Sequence, residues 1–353
     1  MIAIETTTER ADSAVRPRER ILYWFSRLAR VDVGNMLRLA RQISIRFHRP
    51  LPVIVADMAW CAARYNAGYY DYHEFEYHLL NHRQRMTMLT RPEANHLTKA
   101  LNPTELRHLF ADKSEFNRRF APYIGRDWLD LRDADADALE RFAGTHPRFM
   151  AKASDALAGA GVDLVEAASV RDWARFREEL LGKGQFLVEE LIVQHPEMAR
   201  LHPPSVNTLR VITFFDGTDV HLLAHVVKAG NGQPVDNFGR AGMYTAIYEG
   251  GRTRFAAFDK FGHIFPIHPV SGVDWSDFQI PLWDEVLATV DAAARVVPEI
   301  PYIGWDVAIT PERPVLVEGN YNTGVFQMKP SITGVKEGLV PRYKAIIGDR
   351  WPR

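Results

Sequence analysis

Two short apolar runs carry the residues best suited to chemistry. Gly304-Trp305-Asp306-Val307-Ala308-Ile309-Thr310 is followed, after Pro311-Glu312-Arg313-Pro314, by Val315-Leu316-Val317-Glu318-Gly319-Asn320. Rich in β-branched residues and split by a turn-forming stretch, they predict a β-hairpin. Side chains alternate faces along a strand, so Val307 and Ile309 are expected to share a face with Val315 and Val317. Asp306 then falls on the other face, across from Glu318, with Asn320 two residues further along. Three oxygen ligands on one face of a rigid hairpin suit Mg²⁺, a hard cation that takes carboxylates together with substrate phosphates. The alternative is a half-exposed hairpin that turns its polar residues to water.

The familiar nucleotide motifs are missing. There is no Gly-x-x-x-x-Gly-Lys-Ser/Thr loop, no Gly-x-Gly-x-x-Gly turn and no His-Glu-x-x-His helix. Phosphates would have to be held by scattered cations and loop amides. Lys113 opens a helical segment after Phe110-Ala111-Asp112, and Lys152 closes a strand just before Ser154 and a loop through Gly159 and Gly161. Such a loop can turn N–H groups toward an anion; either lysine could equally be a solvated side chain. The strand Leu187-Val188-Glu189-Glu190-Leu191-Ile192 ends in paired acids that could serve an adenine edge and a ribose, or be an ordinary strand end. Arg210 lies within an apolar strand near Leu209–Phe215, where a charge needs a partner, either a structural carboxylate or a bound phosphate. Lys228, at the end of the next strand, could add a second positive charge.

The elements that must position these groups are predicted as mixed. The chain has 353 residues, 46% hydrophobic and 25% charged, enough for two or three cooperating units with a proper core. A net charge of -1 gives no global reason to expect nucleic acid, although residues 1–110 hold 16 Lys+Arg against 11 Asp+Glu. The single cysteine, Cys61, excludes an intrachain disulfide. No apolar run reaches membrane-spanning length, and the acidic first residues lack a signal-like apolar core. A cytoplasmic protein is expected. Residues 1–18 are polar and aperiodic and are expected to be disordered, and 19–105 form a helical region. Arg20, Arg27, Arg30, Arg38, Arg41, Arg46 and Arg49 decorate its first helices. A basic amphipathic helix can lie on an anionic membrane; a solvated face or acidic partners are the commoner use. The aromatics Tyr65, Tyr69, Tyr70, Tyr72, Phe75 and Tyr77 are expected to pack this region onto the next domain. In that domain, strands near Phe186–Leu191, Leu209–Phe215, Val220–Lys228, Met243–Tyr248 and Arg254–Phe258 alternate with helices near Val170–Leu181 and Trp283–Val297. The fold class is α+β, with antiparallel strands in the second half.

Ala111-Asp112-Lys113, Ala151-Lys152, Val188-Glu189-Glu190, Ser205-Val206-Asn207-Thr208-Leu209-Arg210, Val235-Asp236-Asn237-Phe238, His268-Pro269 with Gly272, Gly304-Trp305-Asp306 and Glu318-Gly319-Asn320 occur in that order. Together they resemble the ATP-grasp superfamily, and in particular its sugar-transfer-associated branch, over about Leu106 to Gln327. The resemblance implies an ATP-grasp fold, two α+β subdomains at 106–190 and 191–345 that clasp ATP, preceded by the helical region. It implies phosphate and adenine contacts from Lys113 and Lys152, closure of the Gly159/Gly161 loop, and an adenine hinge at Glu189, Glu190 and Leu191. Glu197 would meet the ribose, with Asn207 and Lys228 among the nucleotide contacts and Arg210 facing the γ-phosphate. Asp306, Glu318 and Asn320 would hold Mg²⁺. Asp236, Asn237 and Arg240, with His268, would lie near the acceptor; Arg240-Ala241-Gly242 stands where the family pattern has Gly-Gly. Arg210 and Lys152 are the expected catalytic groups.

The activity implied is ATP-dependent ligation, in which a small-molecule carboxylate becomes an acylphosphate that an amine or other nucleophile attacks. Asp306→Ala and Glu318→Ala are expected to abolish ATP turnover with the fold intact. An ATP-grasp kinase acting on a hydroxyl and a nucleotide-binding scaffold of a membrane-associated polysaccharide pathway are the alternatives. The residues leave the acceptor and the oligomeric state open.

Overall fold

The structure is a computed structural model that describes residues 32–153, 161–232, 238 and 242–352. Gly159, Asp236, Asn237 and Arg240, together with the segment 1–31, lie outside the described residues. The chain divides into two compact units, Met1–Asp57 and Met58–Arg353. In the first, the helix Val33–Phe47 starts at Asp32, whose carboxylate accepts from the Asn35 amide, and buries Leu39, Ala40 and Ile43 at helical spacing. No helix among the described residues is long and apolar enough to cross a membrane.

The second unit combines a small and a large antiparallel sheet. Its strands are β1 (Trp128–Asp130), β2 (Arg148–Lys152), β3 (Val162–Glu166), β4 (Leu187–Glu190), β5 (Leu209–Phe215), β6 (Val220–Ala229), β7 (Met243–Tyr248), β8 (Arg252–Thr253), β9 (Ala257–Asp259), β10 (Ile264–Phe265), β11 (Tyr302–Ile309) and β12 (Pro314–Asn320). A four-stranded sheet has the order β1-β4-β2-β3, and an eight-stranded sheet runs β10-β9-β7-β6-β5-β11-β12 with β8 on β7. Every pairing is antiparallel. The helix Ala136–Thr145 begins at Asp135 and Trp173–Gly182 at Asp172, each aspartate capping an amide three residues on. They pack Leu139, Ala143 and Leu180 onto Phe149, Ala151 and Val188 of the small sheet.

One face of the large sheet carries Val211, Val227, Trp305, Val307, Ile309 and Leu316, and the helix Trp283–Ala294 covers it with Val286, Val290 and Ala293. Each such side chain contributes roughly 1.5–3 kcal/mol by leaving water. The Trp305 indole donates to Thr213 Oγ1 at 2.8 Å, so its polar atom is satisfied inside the core. Phe110, Phe116 and Phe120, from the helices before β1, join the same core. Gly319 admits two of these rings, since a Cβ there would stand 2.8 Å from both Phe110 and Phe116.

Three expectations change. The hairpin holds Asp306 opposite Glu318, but Val307 pairs with Leu316, so Val317 is an extra, bulged residue. Val315 therefore pairs with Ala308 and lies on the Asp306 face, where uninterrupted alternation would have put it with Val307 and Ile309. The strand expected at Arg254–Phe258 is split into β8 and β9. Among the aromatics of the helical region, Tyr72, Phe75 and Tyr77 are buried, whereas Tyr70 is 50% exposed, its ring beside that of Tyr69 instead of in the core.

Candidate active site

The site begins with a row across the large sheet. Arg210 of β5 pairs with Asp306 of β11, and Asp306 with Glu318 of β12. Cross-strand partners share a face, so all three side chains rise on the side away from the Trp283–Ala294 helix. On the other flank Arg210 pairs with Val226 of β6, which puts Lys228, two residues on, on the same side. Gly304 pairs with Asn320 and extends the row.

Arg210 and Asp306 form a two-pronged pair, Nε to Oδ1 at 2.7 Å and Nη2 to Oδ2 at 3.0 Å. Lys228 Nζ stands 3.1 Å from the same Oδ1. All three residues are buried. Burial would raise the Asp306 carboxyl, but the charges of Arg210 and Lys228 outweigh it and hold the group below its ordinary range. Arg210 also donates from Nη1 to the Thr323 carbonyl at 3.2 Å, and its guanidinium lies 5.2 Å from the centre of the Phe326 ring.

Glu318 and Asn320 complete the row. Asn320 Nδ2 donates to Glu318 Oε1 at 3.2 Å and to the Gly304 carbonyl at 3.3 Å. The donor chemistry fits Mg²⁺. Glu318 is half-buried and accepts from no other side chain among the described residues, and Asn320 keeps its amide oxygen. Arg210 and Lys228 take three of the roughly four lone pairs of the Asp306 carboxylate, which leaves it one. These are oxygen ligands of the type a hard cation takes.

A second charged cluster lies on the small sheet. Glu189, 2% exposed, accepts from Asn117 Nδ2 and Arg126 Nη2, both at 2.8 Å, and pairs with Lys152. Burial would raise its carboxyl, but Arg126 and Lys152 push it far below the ordinary range. Arg126 also donates to the Leu316 carbonyl at 2.8 Å, so it ties β4 to the bulged end of the hairpin. Lys113 reaches the same region, donating to the Ala153 carbonyl at 3.1 Å, one residue beyond Lys152. The Gly161 carbonyl, on a residue with φ +66, accepts the Ala153 amide and closes the loop between β2 and β3.

The structure therefore brings Arg210, Lys228, Asp306, Glu318 and Asn320 together, and Lys113, Lys152 and Glu189 together. Gly161 lies by the second group through Ala153, whereas Glu190, Leu191, Glu197, Asn207 and His268 have other partners or surroundings. Glu190 accepts the Asp127 amide at 3.0 Å and sits with His146, and with Leu191 it lines a cavity of about 460 Å³ against the hairpin turn. Glu197 is half-buried and paired with Arg200 at 2.5 Å. Asn207, fully buried, donates to the Met198 and His202 carbonyls at 2.9 and 3.1 Å and latches the loop before β5. His268 bonds the Gly230 carbonyl at 2.8 Å and accepts the Val270 and Ser271 amides, which makes it a buried loop anchor. A larger cavity of about 660 Å³ opens between β6 and β7 and is lined by none of the clustered charges.

Sequence reasoning passes over Arg126 and Asn117, whose partners lie 63 and 72 residues away, and nothing in their local sequence marks them. Gly304 enters the sequence pattern only as part of a motif. Its role is spatial, since a Cβ at that position would stand 2.9 Å from Arg210 Nη1.

The chain is similar to known proteins in sequence pattern and in structure. The sequence model of the sugar-transfer-associated ATP-grasp family matches residues 93–347. No protein of curated function matches. Among solved structures, similarity extends to the ATP-grasp ligase PsnB complexed with a minimal precursor, at 16% identity over 70% of this chain and 63% of that one, with a TM-score of 0.41. The chain thus spans somewhat less than two thirds of that ligase. The D-cycloserine synthetase DcsG is similar at 14% identity over 74% of this chain and 80% of its own, TM-score 0.43. A D-alanine–D-alanine ligase from Bacillus anthracis is similar at 13% identity over 69% and 67%, TM-score 0.38. With the family model matched over most of its length, the chain belongs to the sugar-transfer-associated ATP-grasp family.

Proposed function

We propose that the protein is an ADP-forming ligase that activates a carboxylate as an acylphosphate for attack by an amine or another nucleophile. The observation that carries this reading is the row on the large sheet, where Arg210 and Lys228 are fixed beside Asp306, Glu318 and Asn320 on one face. Two cations and three oxygen ligands suit the γ-phosphoryl end of ATP-Mg²⁺.

In the first step a carboxylate oxygen of the substrate attacks the γ-phosphorus. The bond from that phosphorus to the β,γ-bridging oxygen breaks, and ADP leaves. In the second, the nucleophile attacks the acyl carbon, phosphate departs with the bonding pair, and the nucleophile's proton passes to the medium. Arg210, its position set by Asp306 and Thr323, stabilises charge on the transferring group. Lys152, held by Glu189, and Lys113, anchored on Ala153, supply the nucleotide-side charge. Glu318, Asn320 and the remaining lone pair of Asp306 would hold Mg²⁺, which when bound neutralises charge on the phosphate oxygens.

The test is ADP release from Mg²⁺-ATP with pooled carboxylic acids, with and without hydroxylamine. Hydroxamate formed along with ADP supports the ligase. ADP accompanied by a stable phosphorylated hydroxyl product, without hydroxamate, overturns it in favour of a kinase.

A further inference from the structure

The pairing of β11 with β12 ends at Gly304 and Asn320, beside the proposed metal-site groups. Beyond that pair the strands would part, and Tyr302 would lose a backbone neighbour on its β12 side. Asn102 fills this place. It follows the helix Arg91–Leu101, belongs to neither sheet and is 0% exposed. Its Nδ2 donates to the Tyr302 carbonyl at 2.7 Å, and its Oδ1 accepts the Tyr302 amide at 3.2 Å. The side-chain amide thus does what a peptide group of the next strand would do. The second Nδ2 hydrogen goes to the Tyr321 carbonyl at 2.8 Å, one residue after Asn320.

The chain beyond Tyr321 returns to the site. Thr323 Oγ1 donates to the Tyr302 hydroxyl at 2.7 Å, and the Thr323 carbonyl accepts Arg210. Arg107 holds the clasp from behind, donating to the Asn102 carbonyl at 2.7 Å with its guanidinium 5.7 Å from the Tyr321 ring centre. Aspartate has no donors for the two carbonyls, and alanine leaves the buried carbonyl and amide of Tyr302 without this partner and frees the half-buried Tyr321 carbonyl.

We infer that Asn102 is a positioning residue for the metal end of the hairpin: it fixes the backbone of Tyr321, next to Asn320, and of Tyr302 on the neighbouring strand and, through Tyr302 and Thr323, the Arg210 guanidinium. The inference rests on the reading of Glu318 and Asn320 as metal ligands, and the test separates the two. Mn²⁺ binding to the full chain with ADP is measured by electron paramagnetic resonance for wild type, Asn102→Ala, Glu318→Gln and Leu139→Ala. Leu139→Ala removes a buried side chain from the small-sheet core and controls for lost stability. ADP affinity in excess chelator is measured in parallel.

The expected result for Asn102→Ala is about tenfold weaker Mn²⁺ binding, as for outer groups that orient metal ligands. Its chelator-phase ADP affinity should be unchanged, and Leu139→Ala should bind Mn²⁺ as wild type does. A folded Asn102→Ala with wild-type Mn²⁺ affinity, alongside loss in Glu318→Gln, overturns the role of Asn102 alone. Wild-type affinity in Glu318→Gln overturns the metal reading and this inference with it. Equal weakening in Leu139→Ala assigns the effect to stability and also overturns it. If Asn102→Ala does not fold, Asn102→Ser, which keeps one donor, is judged by the same criteria.

Discussion

The guanidinium of Arg210 occupies the space that a side chain at Gly304 would need. A Cβ at 304 would stand 2.9 Å from Arg210 Nη1, 3.2 Å from its Cδ and 3.2 Å from Thr323 Cα, the last a backbone atom that cannot swing away. Gly304→Ala should displace Arg210 and lower ATP turnover on the order of hundredfold, as loss of a preorganised charge does. Overpacking should cost about 1–3 kcal/mol of stability. ADP release and urea unfolding check both; wild-type turnover would show that the position of Arg210 does not matter.

Asp306 and Glu318 should separate when mutated. Asp306→Ala leaves two buried cations without their carboxylate and should cost about 3–5 kcal/mol as well as turnover. Glu318→Ala, whose half-buried side chain accepts from Asn320, should cost less than about 1 kcal/mol. Thermal melts of the two variants side by side make the comparison.

The buried acids set an acid limit. The folded-state carboxyls of Glu189 and Asp306 lie below their ordinary values of 4.5 and 3.8. Their stabilisation is full above those values and is lost as pH falls through the folded ones. Stability measured by urea should begin to fall below about 6.5, where protons bind His202, His225 and His268 in the unfolded chain but burial resists them in the folded one, and should fall more steeply below about 4.5, the unfolded value of Glu189. Glu189→Gln should be less stable at neutral pH and show a shallower acid decline; an unchanged slope would mean that Glu189 does not set this limit.

Arg126 links the two sheets, reaching Glu189 at 2.8 Å and the Leu316 carbonyl at 2.8 Å. Lysine has the charge but not the planar fork needed to meet both partners. Arg126→Lys should lower the melting temperature and raise the KM for ATP more than it lowers kcat, because Lys152 loses the fixed position of its partner. A variant with an unchanged KM would confine Arg126 to a purely structural role.

Local pattern was enough for much of this fold. The runs around Asp306 and Glu318 specify a hairpin because strand alternation and a turn need only neighbouring residues, and the opposition of the two acids comes from that. Leu209–Phe215 announces a buried strand, and Arg210 within it announces the need for a partner. The sequence could not say which partner, because Asp306 lies 96 residues away and meets Arg210 only through the order of strands in the sheet. β1, three residues long, is too short to carry a period, and the bulge at Val317 is a property of the pairing, not of either strand. Asn102, Arg126 and Gly304 have ordinary local surroundings. What makes each consequential is a carbonyl, a carboxylate or an empty volume supplied by distant chain, and only tertiary packing decides that.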